Sequence, residues 1–205
     1  MIEIVRKIVS NVLISLYEPF TFAVIMTVLC MFFYMLAQER GWKKLVYQWV
    51  DTFKKDKEFR KLFIFVFYVI MILFKTLLNR DVWANPLSDV IGIWGLHNMD
   101  GELTTEVLEN LALFIPFSIM LLWCFGNKMV DKKGKFMMTV WQSAKSVFLF
   151  SFIIEFLQLF MRLGTFQLSD LFYNTLGGFI GGLIYWCGYK ITHRKKKEKD
   201  ITDTP

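Results

Sequence analysis

Glu155, Gln158, Arg162, Asp170 and Asn174 bring a carboxylate, an amide, a guanidinium, a second carboxylate and a second amide into about twenty residues of a mostly apolar stretch that runs from Ser151 to Gly178. A charge at the centre of a bilayer costs roughly 2.5–3.5 kcal/mol on insertion scales, so ionisable groups held in such surroundings mostly mark sites or pathways. Carboxylates can serve as general acid or base, or can receive a donor group of a ligand. The same stretch offers no nucleophilic pair. The three cysteines, Cys30, Cys124 and Cys187, lie within or at the end of apolar runs and lack metal-ligand spacing. They read as buried free thiols. With no Ser–His pair inside the apolar runs and no metal cluster, neither nucleophilic nor zinc proteolysis is expected, and neither a metal nor another cofactor.

Spacing groups these residues. Glu155, Gln158 and Arg162 follow i, i+3, i+7 and share one helical face; Asp170 and Asn174 are four apart, as are Glu106 and Asn110. Gly177, Gly178, Gly181 and Gly182 form two overlapping G-x-x-x-G pairs, which admit close helix neighbours.

The elements that must position these groups are apolar runs. The chain has 205 residues, is 55% hydrophobic and holds 22 Phe and 7 Trp, which excludes a disordered chain and an ordinary soluble domain. The net charge of +6 is not a nucleic-acid footprint, because the basic residues fill gaps between apolar runs. The expected class is all-α: a polytopic membrane bundle of about five transmembrane helices with an N-terminal interfacial helix. Residues 1–18 form the amphipathic segment, where apolar pairs such as Ile4 and Val5, Ile8 and Val9 alternate with Arg6, Lys7, Ser10 and Asn11. Residues 19–61 hold the first span (20–37) and a basic cytosolic loop with a surface-lying helix interleaving Lys43, Lys44, Lys54 and Lys55 with Trp42, Trp49 and Phe53. Residues 62–189 form the main membrane domain, with spans at 62–79, 107–125 (broken by Pro116), 142–161 and 170–188. Residues 190–205 are a basic cytosolic tail, expected to be disordered. No cleavable signal peptide of the usual kind opens the chain.

Orientation follows from Lys and Arg: loop 38–61 holds eight, loop 126–140 four and the tail from residue 190 six, whereas connections 80–106 and 162–169 hold one each and the N-terminal segment two. The basic stretches are therefore cytosolic, the N-terminus is outside, and five crossings satisfy the parity. Depth then follows from direction. Lys75, Arg80, Glu106, Glu109, Asn110, Glu155, Gln158, Arg162, Asp170 and Asn174 all fall in the outer leaflet, contributed by four spans. Arg80 or Arg162 is expected to pair with Glu155 or Asp170, with Gln158, Asn110 and Asn174 meeting the remaining acceptors. In connection 81–105, His97 reads as a solvated loop residue.

These residues also carry a resemblance. Glu155-x-x-Gln158 followed by Gly164-x-Phe166-x-x-x-Asp170-x-x-x-Asn174-Thr-Leu-Gly-Gly resembles the signature of the VanZ-like membrane proteins. Asn110-x-x-Leu113-Phe-Ile-Pro116-Phe is similar to that family's other motif, and Lys75-Thr-Leu-Leu-Asn-Arg80 to the basic end of the preceding span. The resemblance covers roughly residues 60–190 and points to Arg80, Asn110, Glu155, Gln158, Asp170 and Asn174. Gln167 stands where many members have another acid, and Ser118 where the family often has Gly. The family includes a member associated with low-level teicoplanin resistance, so the resemblance implies a role in the bacterial cell envelope rather than a defined reaction. Three functions fit. One is an outward-facing intramembrane pocket in which Glu155 and Asp170 act on an amphiphilic envelope substrate, such as a lipid-linked precursor or a glycopeptide, with Arg80, Asn110, Gln158, Arg162 and Asn174 binding it. The second is a non-enzymatic accessory or immunity protein. The third is a small transporter subunit. Membrane lipids are expected partners in all three; nucleic acid is not.

Overall fold

The computed structural model describes residues 2–17, 20–36, 38, 41–78, 85–97, 103–129 and 136–202. Seven α-helices run through them: α1 Ile2–Tyr17, α2 Phe20–Leu36, α3 Trp42–Lys55, α4 Lys57–Leu73, α5 Glu106–Met129, α6 Phe136–Met161 and α7 Leu168–Thr202. α4 widens into a π-helical turn at Phe74–Leu78. Among the described residues no strand forms, and an isolated bridge joins His97 to Leu103.

By length and composition α5 (over Glu106–Gly126) and α6 are long and apolar enough to cross a membrane, and Phe22–Leu36 is a shorter apolar helix. α3 and α4 are separated by Asp56 alone, whose backbone is extended and whose carboxylate accepts from the Glu58 N–H at 2.8 Å, capping α4. The second apolar helix therefore begins at Lys57, five residues earlier than hydropathy alone places it. At the end of α3, the Asp51 carboxylate lies 2.8 Å from Lys55, one turn away, and raises the pKa of its ammonium group. A cluster of Met31, Met35, Leu45 and Phe59 fixes α3 beneath α2 and α4, with Trp49 stacked on Phe53 at 5.4 Å.

α7 is the central helix and packs chiefly on α5 and α6. Its glycines divide between the two neighbours. A Cβ on Gly177 would meet Phe114 Cβ at 3.0 Å, and one on Gly181 would meet the Ile115 carbonyl at 2.5 Å; both glycines face α5. Gly178 and Gly182 face α6, where a Cβ would meet Val147 at 2.7 Å and Ser143 at 2.9 Å. Two offset small-residue pairs thus seat two helices in close van der Waals contact on adjacent faces of one helix. Ser143 adds a bond across the seam, its Oγ donating to the Gly178 carbonyl at 2.8 Å.

Pro116 does not break α5. It removes the N–H that would bond the Ala112 carbonyl and crowds the turn, and Tyr68 from α4 supplies the missing donor. The Tyr68 hydroxyl lies 3.0 Å from the Leu113 carbonyl and 3.5 Å from that of Ala112. The expectation of disorder beyond Lys190 is also corrected, because α7 continues to Thr202. The run Lys195-Lys-Lys-Glu-Lys-Asp consists mostly of good helix formers and extends a helix already nucleated upstream. The cysteines are free, but Cys30 and Cys187 are exposed rather than buried; Cys124 is half-buried and its thiol donates to the Lys61 carbonyl at 3.3 Å.

Candidate functional site

Hydrogen bonds join polar side chains of α5, α6 and α7 in pairs across the helix seams, and one of them reaches the backbone of the π turn. Asn110 on α5 donates to Asp170 Oδ1 on α7 at 2.7 Å. Asn174, one turn along α7, donates to Ser151 Oγ on α6 at 2.8 Å. Gln158 on α6 donates to the Thr76 carbonyl at 2.7 Å. That carbonyl belongs to the π turn, where the wider winding shifts the backbone away from regular helical pairing. Glu155 Oε2 accepts the Gln167 backbone N–H at 3.1 Å. The relative exposures are 2% for Glu155, 3% for Gln158, 9% for Asp170 and 6% for Asn174, so these groups interact in a low-dielectric interior. Asn174 Oδ1 is buried and has no partner among the described residues.

A second polar chain runs beside the first. Lys75 forms an ion pair with Glu109 at 2.8 Å, Thr105 Oγ1 donates to the other oxygen of Glu109 at 2.8 Å, and Asn11 of α1 donates to Thr105 Oγ1 at 3.0 Å. This ties α1 to the start of α5 through polar contact.

Arg162 does not join the cluster. α6 ends at Met161, and Arg162 takes a left-handed conformation (φ 58°) with an exposed side chain. The Leu163 N–H bonds the Gln158 carbonyl at 2.9 Å and the Arg162 N–H the Leu159 carbonyl at 3.4 Å, the Schellman pattern of a helix C-terminus. The seven-residue phase from Glu155 to Arg162 fails because the helix has stopped. A left-handed residue with a Cβ costs roughly 1–2 kcal/mol. Arg162→Gly is accordingly expected to raise the thermal midpoint of the detergent-extracted protein, by about 1 kcal/mol in stability, and to leave function intact. Loss of function with a raised midpoint would place the guanidinium in the site after all. Arg80 lies outside the described residues.

Spacing alone did not identify Ser151, Thr76, Asp89 or Gln167 as partners. Asp89 accepts from Gln167 Nε2 at 3.1 Å through Oδ2 and from the Gly92 N–H at 3.1 Å through Oδ1. The Phe166 N–H bonds the Pro86 carbonyl at 3.0 Å and the Leu168 N–H bonds that of Val90 at 2.9 Å. Connection 85–97 therefore lies along the α6–α7 loop, and Gln167 joins the two: its side chain reaches Asp89 and its backbone reaches Glu155. The only advance signal was Gln167 itself, an amide where relatives carry an acid. Among the described residues, no three His, Cys, Asp or Glu side chains gather as a metal site.

The family model described as VanZ/LLP1 matches residues 20–189. The chain is 25% identical to Protein VanZ of Enterococcus faecium over 121 residues, which cover 55% of this chain and 69% of that protein. No solved structure matches.

Proposed function

This chain belongs to the VanZ/LLP1 family, and on that premise we propose that it is a multi-pass protein of the bacterial cell membrane with an outward-facing polar site that lowers susceptibility to glycopeptides by engaging an amphiphilic envelope substrate. In this reading α2, α4, α5, α6 and α7 cross the bilayer, with the N-terminus outside and the C-terminus in the cytosol. The distribution of Lys and Arg supports that orientation. The observation that supports the site is a set of hydrogen bonds that ties its polar residues across helix seams: Asn110 to Asp170, Asn174 to Ser151, Gln158 to the Thr76 carbonyl and the Gln167 N–H to Glu155. Glu155 and Asp170 are the acid–base candidates, and Asn110, Gln158 and Asn174 the binding groups; Arg80 joins them on sequence grounds. The unpartnered Asn174 Oδ1 favours a ligand that brings a donor, a hydroxyl, amide N–H or ammonium.

One feature supports a second reading, a non-enzymatic accessory or immunity protein. The amides of Asn110, Asn174 and Gln158 donate to a carboxylate, a serine hydroxyl and a backbone carbonyl, as in a network that holds a bundle together. Expression in a teicoplanin-susceptible Gram-positive host separates function from no function. The expected result is a higher inhibitory concentration for teicoplanin than with empty vector. A membrane-inserted protein that leaves glycopeptide susceptibility unchanged would sink the resistance reading.

A further inference from the structure

We infer that connection 85–97 is a cover over Glu155 whose outer face is seated in the uncharged interfacial layer of the bilayer. The inference rests on the membrane-spanning reading above, and not on any chemistry assigned to Glu155.

The inner side of the connection is fixed at several points. It pairs with Phe166 and Leu168 on either side of Gln167, and Gln167 in turn bonds Glu155. One residue therefore separates the connection from the buried acid. Gly92 makes that approach possible: its φ is +72°, and a Cβ there would run into the Ser169 hydroxyl and lie 3.1 Å from Gln167 Cβ.

The outer side has the opposite character. Leu87 is 57% exposed, Ile91 66% and Trp94 51%. The Trp94 ring leans on Phe172 at 5.3 Å and Tyr173 at 5.8 Å, so the apolar surface continues onto the first turn of α7, where Leu168 and Phe172 are also exposed. Within 85–97 the only formally charged side chain is Asp89, and both of its oxygens are engaged inward, by Gly92 and Gln167. The outer face is thus largely apolar; its exposed polar side chains, Asn85, Ser88 and His97, add no formal charge.

Its position selects the partner. The connection lies against the loop that directly follows α6, a helix long enough to span a bilayer. The end of a span is the hydrocarbon–headgroup boundary, where Trp and aliphatic side chains partition together. With no formally charged group facing outward among residues 85–97, the surface suits zwitterionic lipid; α3, with exposed Lys43, Lys44, Lys54 and Lys55, suits an anionic one. A cover seated in this way closes the aqueous approach to Glu155 from above.

The test uses the full chain reconstituted in phosphatidylcholine vesicles. Cys30, Cys124 and Cys187 are replaced with serine, and an environment-sensitive fluorophore is attached at Ile91→Cys or, in a second variant, at Leu87→Cys. Lys55→Cys is the exposed control. We expect blue-shifted emission at 91 and 87, roughly twofold quenching by lipids carrying a nitroxide near the headgroup, and protection from iodide relative to position 55. Iodide quenching equal to that at position 55, without nitroxide quenching, would overturn the inference. So would protection from both quenchers combined with cross-linking between copies at 91, which would assign the surface to a second copy of this chain. Alkaline extraction distinguishes the underlying readings. A chain that stays in the pellet with 91 exposed to water refutes the cover alone; a chain released by alkali refutes the membrane-spanning reading with it.

Discussion

Glu155→Gln is expected to return glycopeptide susceptibility to the level of empty vector while the protein still accumulates in the membrane. Glutamine keeps the size of the side chain and an oxygen able to accept the Gln167 N–H, the bond that Glu155 Oε2 makes at 3.1 Å. What the substitution removes is the proton-accepting capacity and the negative charge. If Glu155 works as general acid or base, turnover falls by about 10²–10⁴-fold, which no susceptibility assay would miss. If the cluster only holds helices together, Glu155→Gln leaves susceptibility nearly unchanged, and the acid–base reading is lost. Asp170→Asn, made in parallel, separates the two carboxylates. Asp170 accepts from Asn110 at 2.7 Å, and an asparagine can still accept there, so a loss of function confined to Glu155→Gln would assign the proton chemistry to that residue alone.

The helices were largely legible in the sequence because α2, α4, α5, α6 and α7 each contain an apolar run and α1 and α3 an amphipathic pattern, and hydropathy reports burial in lipid or in protein alike. Boundaries were set by chemistry that hydropathy does not register. Asp56 caps α4 and moves its start to Lys57, Tyr68 compensates Pro116 so that α5 stays whole, and Arg162 ends α6 in a left-handed turn. The polar groups were legible as a set, since i, i+3 and i, i+4 spacing assigns residues to a face. Their pairings were not, because a face has no partner until the neighbouring helix is placed. Asn174 with Ser151 is 23 positions apart, Asn110 with Asp170 60, and Gln158 with Thr76 82. The same limit hid the Asp89–Gln167 contact, which joins residues 78 apart through a connection with no periodicity to read. Arg162 shows the opposite error. Phase was carried seven residues along a helix that stops after six, although Gly164, two positions later, is a common sign of a helix end.

The glycine seam and the polar cluster depend on each other, which gives the second large effect. Gly181→Ala is expected to destabilise the detergent-extracted protein by about 1–3 kcal/mol, the usual cost of forcing a methyl group into a packed interface. Alanine would ordinarily gain up to about 1 kcal/mol over glycine inside a helix, so the sign is set by which effect is larger. At Gly181 the new Cβ meets the Ile115 carbonyl at 2.5 Å and the Ser118 hydroxyl. Ser118 can rotate, but a backbone carbonyl cannot, so α7 must move away from α5. Gly188 supplies the control: it lies in the same helix with nothing within 4 Å of an added Cβ, and Gly188→Ala should be neutral or slightly stabilising. Separation of α5 from α7 also reaches the site, because Asn110 and Asp170 are held 2.7 Å apart by the packing of these same two helices. A shift of a few tenths of an ångström lengthens that bond and leaves the buried Asp170 carboxylate and the half-buried Asn110 amide less well matched. Gly181→Ala should therefore lower both the thermal midpoint and glycopeptide resistance, whereas Glu155→Gln lowers resistance alone. A Gly181→Ala protein with the midpoint of Gly188→Ala would show that the seam is looser than its contacts require, and that Asn110 meets Asp170 without help from the glycines.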